Sequence, residues 1–347
     1  MPDDIHTVLV RCPNWVGDVV AATPAFDCLR QNFPNARMIA VIRRYAQGVI
    51  ESGPWFDAVI GCDDRSQRGF FSLVQKIRRL TPDLAVVLPN SFRSTLSVFF
   101  GGARAIYGYR RGVRRLLLSG GPAPVRNLAG IVPRPMTEYY LDICRWLGLS
   151  PPADLRPSLF FSDDTARAAA QLLAGWGIQP EDMVIGLNPG AKFGSSKCWP
   201  PGYFGTLCDH LAATWKCKII LFAGPGEAQL TSLVVQNTAV PVIDSGPDQI
   251  DLALLKPLIR RCQLLITNDT GPRHYAVALG VPVVVLMGPT DPRYTSANLE
   301  KTRVIRQKLE CSPCHEKVCP LGHHTCMTGI APDQVLEESK QLLLEVG

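Results

Sequence analysis

The sequence lacks any run of about 18 uncharged apolar residues, the length a membrane-spanning helix needs. Residues 1–30 also lack a basic stretch followed by an apolar core and a small-residue cleavage site. Together these absences predict a cytoplasmic protein. No G-x-G-x-x-G fingerprint follows the first predicted strand, which counts against a nicotinamide enzyme. The spacing G-x-x-x-x-G-K-[ST] is missing as well, so ATP hydrolysis is not supported. No helix-turn-helix, zinc-finger or RNA-recognition signature occurs, and a nucleic-acid partner is not expected. Charge is modest at 19% against 46% hydrophobic residues, which excludes a disordered chain. One further absence is local: between Asp83 and Glu138 there is no acidic residue.

That acid-free stretch holds eight arginines, at 93, 104, 110, 111, 114, 115, 126 and 134. Residues 1–160 carry 20 Lys/Arg against 12 Asp/Glu, whereas residues 161–347 carry 16 against 18. The net charge of +6 therefore belongs to the N-terminal half, which should attract an anion unless the arginines are only a solvated face. A length of 347 residues suits two domains, each with its own core. Apolar β-branched runs alternate with helical-period segments from end to end. Strands are predicted at 7–11, 38–42, 58–61, 84–88 and 105–107, then at 183–188, 218–223, 242–244, 264–267 and 283–287. Helices are predicted between them, the first from Asp18 to about Asn32 and the last over Pro332–Val346. Such alternation implies two α/β units with parallel sheets, joined by the Pro-rich stretch Leu149–Ser162. Domains of 1–155 and 156–347 follow. Open α/β sheets bind ligands at the carboxyl ends of their strands, so a site in a cleft between the domains is expected.

Four segments carry residues suited to chemistry. After the first strand, Asn14-Trp15-Val16-Gly17-Asp18 places a carboxylate where strand gives way to helix. Asp18 there is either a helix-terminal charge or a general base. The second, Asn188-Pro189-Gly190-Ala191 through Ser195-Ser196-Lys197-Cys198-Trp199-Pro200, offers glycines, hydroxyls and lysines that suit a diphosphate. The third, Asn268-Asp269-Thr270-Gly271-Pro272-Arg273-His274, opens a helix with Pro in its first turn, where orphan N–H groups and the dipole favour an anion. Asp269 can also be a plain cap and His274 a core histidine. The fourth is Cys311-x2-Cys314-x4-Cys319-x6-Cys326. It admits a loop of reduced or paired thiols, a structural zinc site or a redox cluster, and the spacing fits no standard zinc pair. The first of these is the expectation, with the cysteines fixing the loop and the terminal helix. The other eight cysteines read as buried small hydrophobes.

Taken together, these segments and the turn Gly288-Pro289-Thr290-Asp291-Pro292 resemble the ADP-heptose:lipopolysaccharide heptosyltransferases of glycosyltransferase family 9, and among them the heptosyltransferase II type. The resemblance spans residues 8 to 326 in the expected order. It implies a GT-B fold of two Rossmann-like domains, with parallel sheets facing an interdomain cleft. It implies inverting, metal-independent transfer of heptose from ADP-heptose to a lipid-linked lipopolysaccharide inner core, with no cofactor and with peripheral contact at the cytosolic face of the inner membrane. The N-terminal domain would take the acceptor, through Asn14, Arg93, Arg110 and Arg111. The C-terminal domain would take the donor, through Ser195, Ser196, Lys197, Glu227, Asp269, Thr270, Gly271 and His274. The family's base falls on Asp18 and its diphosphate lysine on Lys197. Cys198 and Arg273 depart from the commoner family pattern, and Arg273 bears on the donor pocket. Another nucleotide-sugar transferase of this fold and a non-catalytic nucleotide-binding protein remain as alternatives.

Overall fold

The structure, a computed structural model, describes residues 5–128, 130–248 and 250–346. The chain divides into two compact units, Met1–Phe160 and Phe161–Gly347. In the first, strands β1 (Thr7–Arg11), β2 (Arg37–Arg43), β3 (Ala58–Cys62), β4 (Leu84–Val87) and β5 (Ala105–Tyr107) form one sheet in the order β3-β2-β1-β4-β5. All its pairings are parallel, with Leu9 opposite Ile39 on one side and Ala85 on the other. Parallel strands are covered on both faces, which is why β1, β2 and β4 read as unbroken apolar runs. A short antiparallel hairpin, β6 (Arg126–Asn127) with β7 (Gly130–Ile131), follows and has no counterpart in the predicted strands.

The second unit holds β8 (Met183–Asn188), β9 (Cys217–Leu221), β10 (Ile243–Asp244), β11 (Leu264–Asn268), β12 (Val283–Leu286) and β13 (Thr302–Ile305). Their order is β10-β9-β8-β11-β12-β13, again all parallel. The connections reverse direction across the sheet between β1 and β4 in one unit and between β8 and β11 in the other. Such reversal points open a crevice at the carboxyl ends of the strands. The motifs of the first and third chemical segments leave from these strand ends.

Helices cover the sheets through amphipathic stripes. Gln67–Arg78 buries Phe70, Leu73, Val74 and Ile77 at helical spacing, and the Ser66 hydroxyl caps it by accepting from the Gly69 N–H at 3.0 Å. Leu73 and Ile77 join Leu9, Val41, Val87 and Ile106 in the core of the first unit. In the second, Ile185, Leu187, Trp199 and Phe204 pack with Val335 and Leu342 of the terminal helix Pro332–Val346.

Two expectations are corrected here. The predicted helix from Asp18 to Asn32 is two helices, Val16–Ala21 and Thr23–Asn32. Pro24 has no N–H to continue the ladder, and the Thr23 hydroxyl donates to Val20 O at 2.9 Å across the break. No predicted helix falls between the Pro-rich linker and the strand at 183, and Asp163–Gly175 is helical. Ser162 caps it, accepting from the Thr165 N–H at 3.2 Å, and Asp163 and Asp164 sit against its positive end.

Candidate active site

In the second unit two asparagines at neighbouring strand ends organise the two loops that follow β8 and β11. Asn268 Oδ1 accepts from the Trp199 N–H at 3.1 Å while its amide donates to Pro189 O at 2.7 Å. Asn188 donates to Gly190 O at 3.2 Å and to the Thr270 hydroxyl at 3.3 Å. The segment carrying Lys197 is thereby drawn against the start of the helix Gly271–Leu279. Lys197 Nζ donates to both Asp269 O and Asp269 Oδ2 at 2.8 Å. The Asp269 carboxylate also accepts from Arg273 Nη1 at 2.9 Å and from the Thr290 hydroxyl at 2.6 Å. An ammonium is thus fixed within reach of a helix N-terminus whose first N–H groups have no intrahelical partner.

The electrostatics follow from this packing. Burial alone would raise the Asp269 pKa, but the Arg273 and Lys197 charges, with hydrogen bonds from Lys197 and Thr290, hold it well below the usual carboxylate range. Asp269 is therefore ionised and serves to aim Lys197. His274 is pushed from 6.5 down to about 3, first by burial and then by Arg273. Its imidazole is neutral at physiological pH. Since the folded form resists a proton that the unfolded chain accepts, this contribution to stability is complete above about pH 6.5 and is lost as the pH falls toward 3. Thermal midpoints of wild type and His274→Gln, compared at pH 7.5 and pH 5, should show the larger acid loss in wild type. Equal losses would mean that His274 is not held neutral.

The remaining expected donor residues lie around this centre in different ways. Glu227 Oε2 accepts from the Gly224 N–H at 2.8 Å, and a Cβ at Gly190 would lie 2.0 Å from that oxygen, so the carboxylate can sit there only against glycine. Thr270 and Gly271 begin the helix, and Ser195 is exposed. Ser196 is buried and its polar groups face the 316–324 loop. Arg273, which the sequence places near the donor pocket, spends Nη1 on Asp269 and the Thr295 hydroxyl at 3.0 Å.

In the first unit Asp18 occupies the first turn of the helix Val16–Ala21, at the end of β1. Its charge is among those that raise the Tyr140 and Tyr45 hydroxyls, though burial is the larger cause for each. Asn14 Oδ1 accepts from Arg11 Nη2 at 3.1 Å and from Arg43 Nε at 3.2 Å. Both guanidiniums also meet the buried Asp64, at 3.3 and 3.0 Å, so a buried ion network fixes the Asn14 amide.

The arginine run separates into two classes. Arg114, 1% exposed, donates to Val87 O at 3.1 Å and to Pro89 O, closing the carboxyl end of β4, and burial lowers its pKa to about 10. Arg93 ties down Asp64 O and Ser66 O, the latter at 2.8 Å, and lies 4.7 Å over the Phe70 ring. Arg134 pairs with Asp142. Arg110, Arg115 and Arg126 are exposed and Arg111 is half-buried. The anion-attracting charge is thus carried by fewer arginines than the composition suggests.

The sequence model of glycosyltransferase family 9 (heptosyltransferase) matches residues 70–325. The chain belongs to glycosyltransferase family 9. It is 29% identical to lipopolysaccharide heptosyltransferase 2 of Escherichia coli (strain K12) over 355 residues, covering 97% of this chain and 99% of that protein. It matches the structure of E. coli ADP-heptose lps heptosyltransferase II with a TM-score of 0.79 at 26% identity, over 98% of this chain and 99% of the other. A family 9 glycosyl transferase from Veillonella parvula shares the fold with a TM-score of 0.86 at 23% identity, over 99% of both chains. The fold is GT-B, and the family 9 chain is a glycosyltransferase.

Several residues that the sequence shows only as members of motifs, without a role, are struts in this family 9 chain: Asn188 and Asn268 brace loops, Thr290 holds Asp269 and Arg114 is a buried guanidinium, while the buried Arg11 lies outside every motif. Arg11, Asn188 and Asn268 are polar residues that end strands β1, β8 and β11, a signal visible in a sequence but silent about direction. All twelve cysteines are free thiols, and burial pushes Cys12 and Cys262 up to about 12. Among the described residues no group of three or more His, Cys, Asp or Glu side chains stands as a ready metal-binding set.

Proposed function

We propose that this chain is a lipopolysaccharide heptosyltransferase of the second type, moving heptose from ADP-heptose onto the heptose of a lipid-linked inner core with inversion at the anomeric carbon. The observation that carries this reading is the Lys197 ammonium held at the start of the helix Gly271–Leu279, beside Thr270 and Gly271. Near full-length similarity to proteins named heptosyltransferase 2 supplies the sugar and acceptor class. In the proposed reaction Asp18 accepts the proton of the attacking hydroxyl, the new bond forms at the anomeric carbon, and ADP leaves from the opposite face. Negative charge grows on the diphosphate as the bond breaks. Lys197 and the helix N-terminal N–H groups meet that charge, a task a divalent cation performs in other transferases. Glu227 is assigned to the donor ribose and His274, as a neutral ring, to the donor pocket.

Asn14, Arg110 and Arg111 are assigned to the acceptor, and Arg93 supports them through the 64–66 loop. A lipid-linked acceptor places the reaction at the cytosolic face of the inner membrane. Among the described residues no helix is long and apolar enough to cross a membrane. Contact with a bilayer surface is supported by Val113 and Leu116, 66% and 78% exposed, which share one face of the 3-10 helix Gly112–Leu117 next to Arg111 and Arg115.

The test is incubation with ADP-heptose and a truncated one-heptose core, read by mass spectrometry. One added heptose is expected, and Arg110→Glu with Arg111→Glu should raise the acceptor KM while leaving the donor KM unchanged. ADP binding without any transfer would instead favour a non-catalytic nucleotide-binding protein. A raised donor KM in the double variant would overturn the assignment of the two units.

A further inference from the structure

Ser196 stands immediately before Lys197 in the chain, yet it is 2% exposed and points away from the ammonium. Its N–H donates to Lys317 O at 3.1 Å and its hydroxyl donates to Glu316 O at 2.5 Å. Its carbonyl lies 2.9 Å from His324 Nε2, which makes that ring nitrogen the donor. The two segments are packed backbone to backbone. Gly194 has φ +158, and a Cβ there would lie 2.2 Å from Lys317 O, so a side chain at this position would force the segments apart.

The same cysteine-rich loop reaches the other side of the site. The Ser312 hydroxyl donates to Gly288 O at 2.7 Å, and the His315 N–H donates to Pro289 O at 2.8 Å. The next residue, Thr290, donates its hydroxyl to Asp269. Two limbs therefore close on the Asp269 carboxylate, one bearing Lys197 and one bearing Thr290, and different residues of a single loop brace each limb. Cys311, Cys314, Cys319 and Cys326 line a cavity of about 20 Å³ whose wall also includes Ser196 and Pro289, one residue from each limb.

We propose that the loop of residues 311–326 is a bracket that sets where Lys197 stands against the donor's diphosphate, with His324 and Ser312 as its positioning residues. This rests on the reading that Lys197 meets a diphosphate. Neither positioning residue touches the reacting atoms. His324 acts through Ser196 and the backbone on Lys197, and Ser312 acts through the Gly288–Thr290 turn on Asp269. The cysteines, on this account, shape the interior of the bracket, which explains why they cluster beside a site they do not enter.

The test measures ADP and adenosine affinity by calorimetry on the full chain. His324→Ala should raise the Kd for ADP about tenfold, the size expected for losing a hydrogen bond that orients a charged group. Adenosine, which carries no phosphate, should bind within about twofold of wild type. His324→Gln restores an N–H donor at the reach of Nε2 and should recover most of the ADP affinity. Ser312→Ala, which acts on the opposite limb, should show the same selective loss and serves if His324→Ala does not fold. Equal weakening of ADP and adenosine, or unchanged ADP affinity in folded variants, would overturn the bracket. A wild-type chain that bound adenosine and ADP alike would overturn the diphosphate role of Lys197 itself, and the bracket with it.

Discussion

Replacing Asp18 by asparagine is expected to lower turnover by at least about 10²-fold, the lower end of what loss of a general base costs, with little change in ADP affinity. The two roles open to this carboxylate have opposite signatures. As a first-turn charge on the short helix Val16–Ala21 it would contribute about 0.3–1 kcal/mol to stability and nothing to chemistry. As a base it must carry a charge that the isosteric amide lacks, at the carboxyl end of β1 where the sheet order reverses. The Arg11–Asp64–Arg43 network beneath Asn14 holds the neighbouring backbone in place independently of Asp18, so the variant should fold. Steady-state rates with saturating donor and acceptor, alongside ADP titration, separate the cases. Near-normal turnover with a lowered thermal midpoint would leave Asp18 as a helix charge only.

How far the sequence could be read depended on what kind of force acted at each position. Strands β1, β5 and β8 lie at the predicted residues because parallel strands buried on both faces must be continuously apolar, a pattern local to the strand. The edge strand β13 escaped notice since Thr302–Ile305 is only partly buried and contains Arg303. The helix Asp163–Gly175 escaped for a similar reason: only Ala169 and Leu173 are buried, too thin a stripe to give a helical period.

Charge was harder to read than hydrophobicity. Eight arginines without an acid argue for an anion, but the direction of a guanidinium is set by carbonyls far away in sequence. Arg114 reaches back 27 residues to Val87, and Arg93 reaches 27 to Ser66. The donor segment shows the same division. Lys197 and Asp269 stood out as charged residues in glycine-bearing loops, but that they pair with one another across 72 residues depends on β8 and β11 being neighbours. Ser196, chosen for its hydroxyl, faces the cysteine-rich loop because Gly194 admits Lys317 against the backbone.

Replacing Lys197 by alanine should have the larger effect on the donor side, a fall in kcat/KM for ADP-heptose of about 10²–10³, or roughly 2.7–4 kcal/mol of transition-state stabilisation. Two losses combine. The ammonium assigned to the leaving diphosphate is gone, and the ionised Asp269 keeps only Arg273 as a charge partner, which leaves uncompensated negative charge beside the proposed diphosphate position. Because Arg273 Nη1 and the Thr290 hydroxyl still hold the carboxylate at 2.9 and 2.6 Å, the site should keep its shape, and the defect should appear in kinetics more than in thermal stability. Lys197→Arg should not restore the wild-type rate, since a planar guanidinium cannot reproduce a compact ammonium bonded to both Asp269 O and Oδ2. On the proposed mechanism both KM and kcat should suffer in Lys197→Ala, because there the charge would contact the bound diphosphate and be needed more as the anomeric bond breaks. In parallel, chelation by EDTA should leave the wild-type rate unchanged if Lys197 and the helix N-terminus carry the phosphate charge. A wild-type enzyme silenced by EDTA and revived by Mg²⁺, or a Lys197→Ala variant with intact kcat/KM, would take that task away from the lysine.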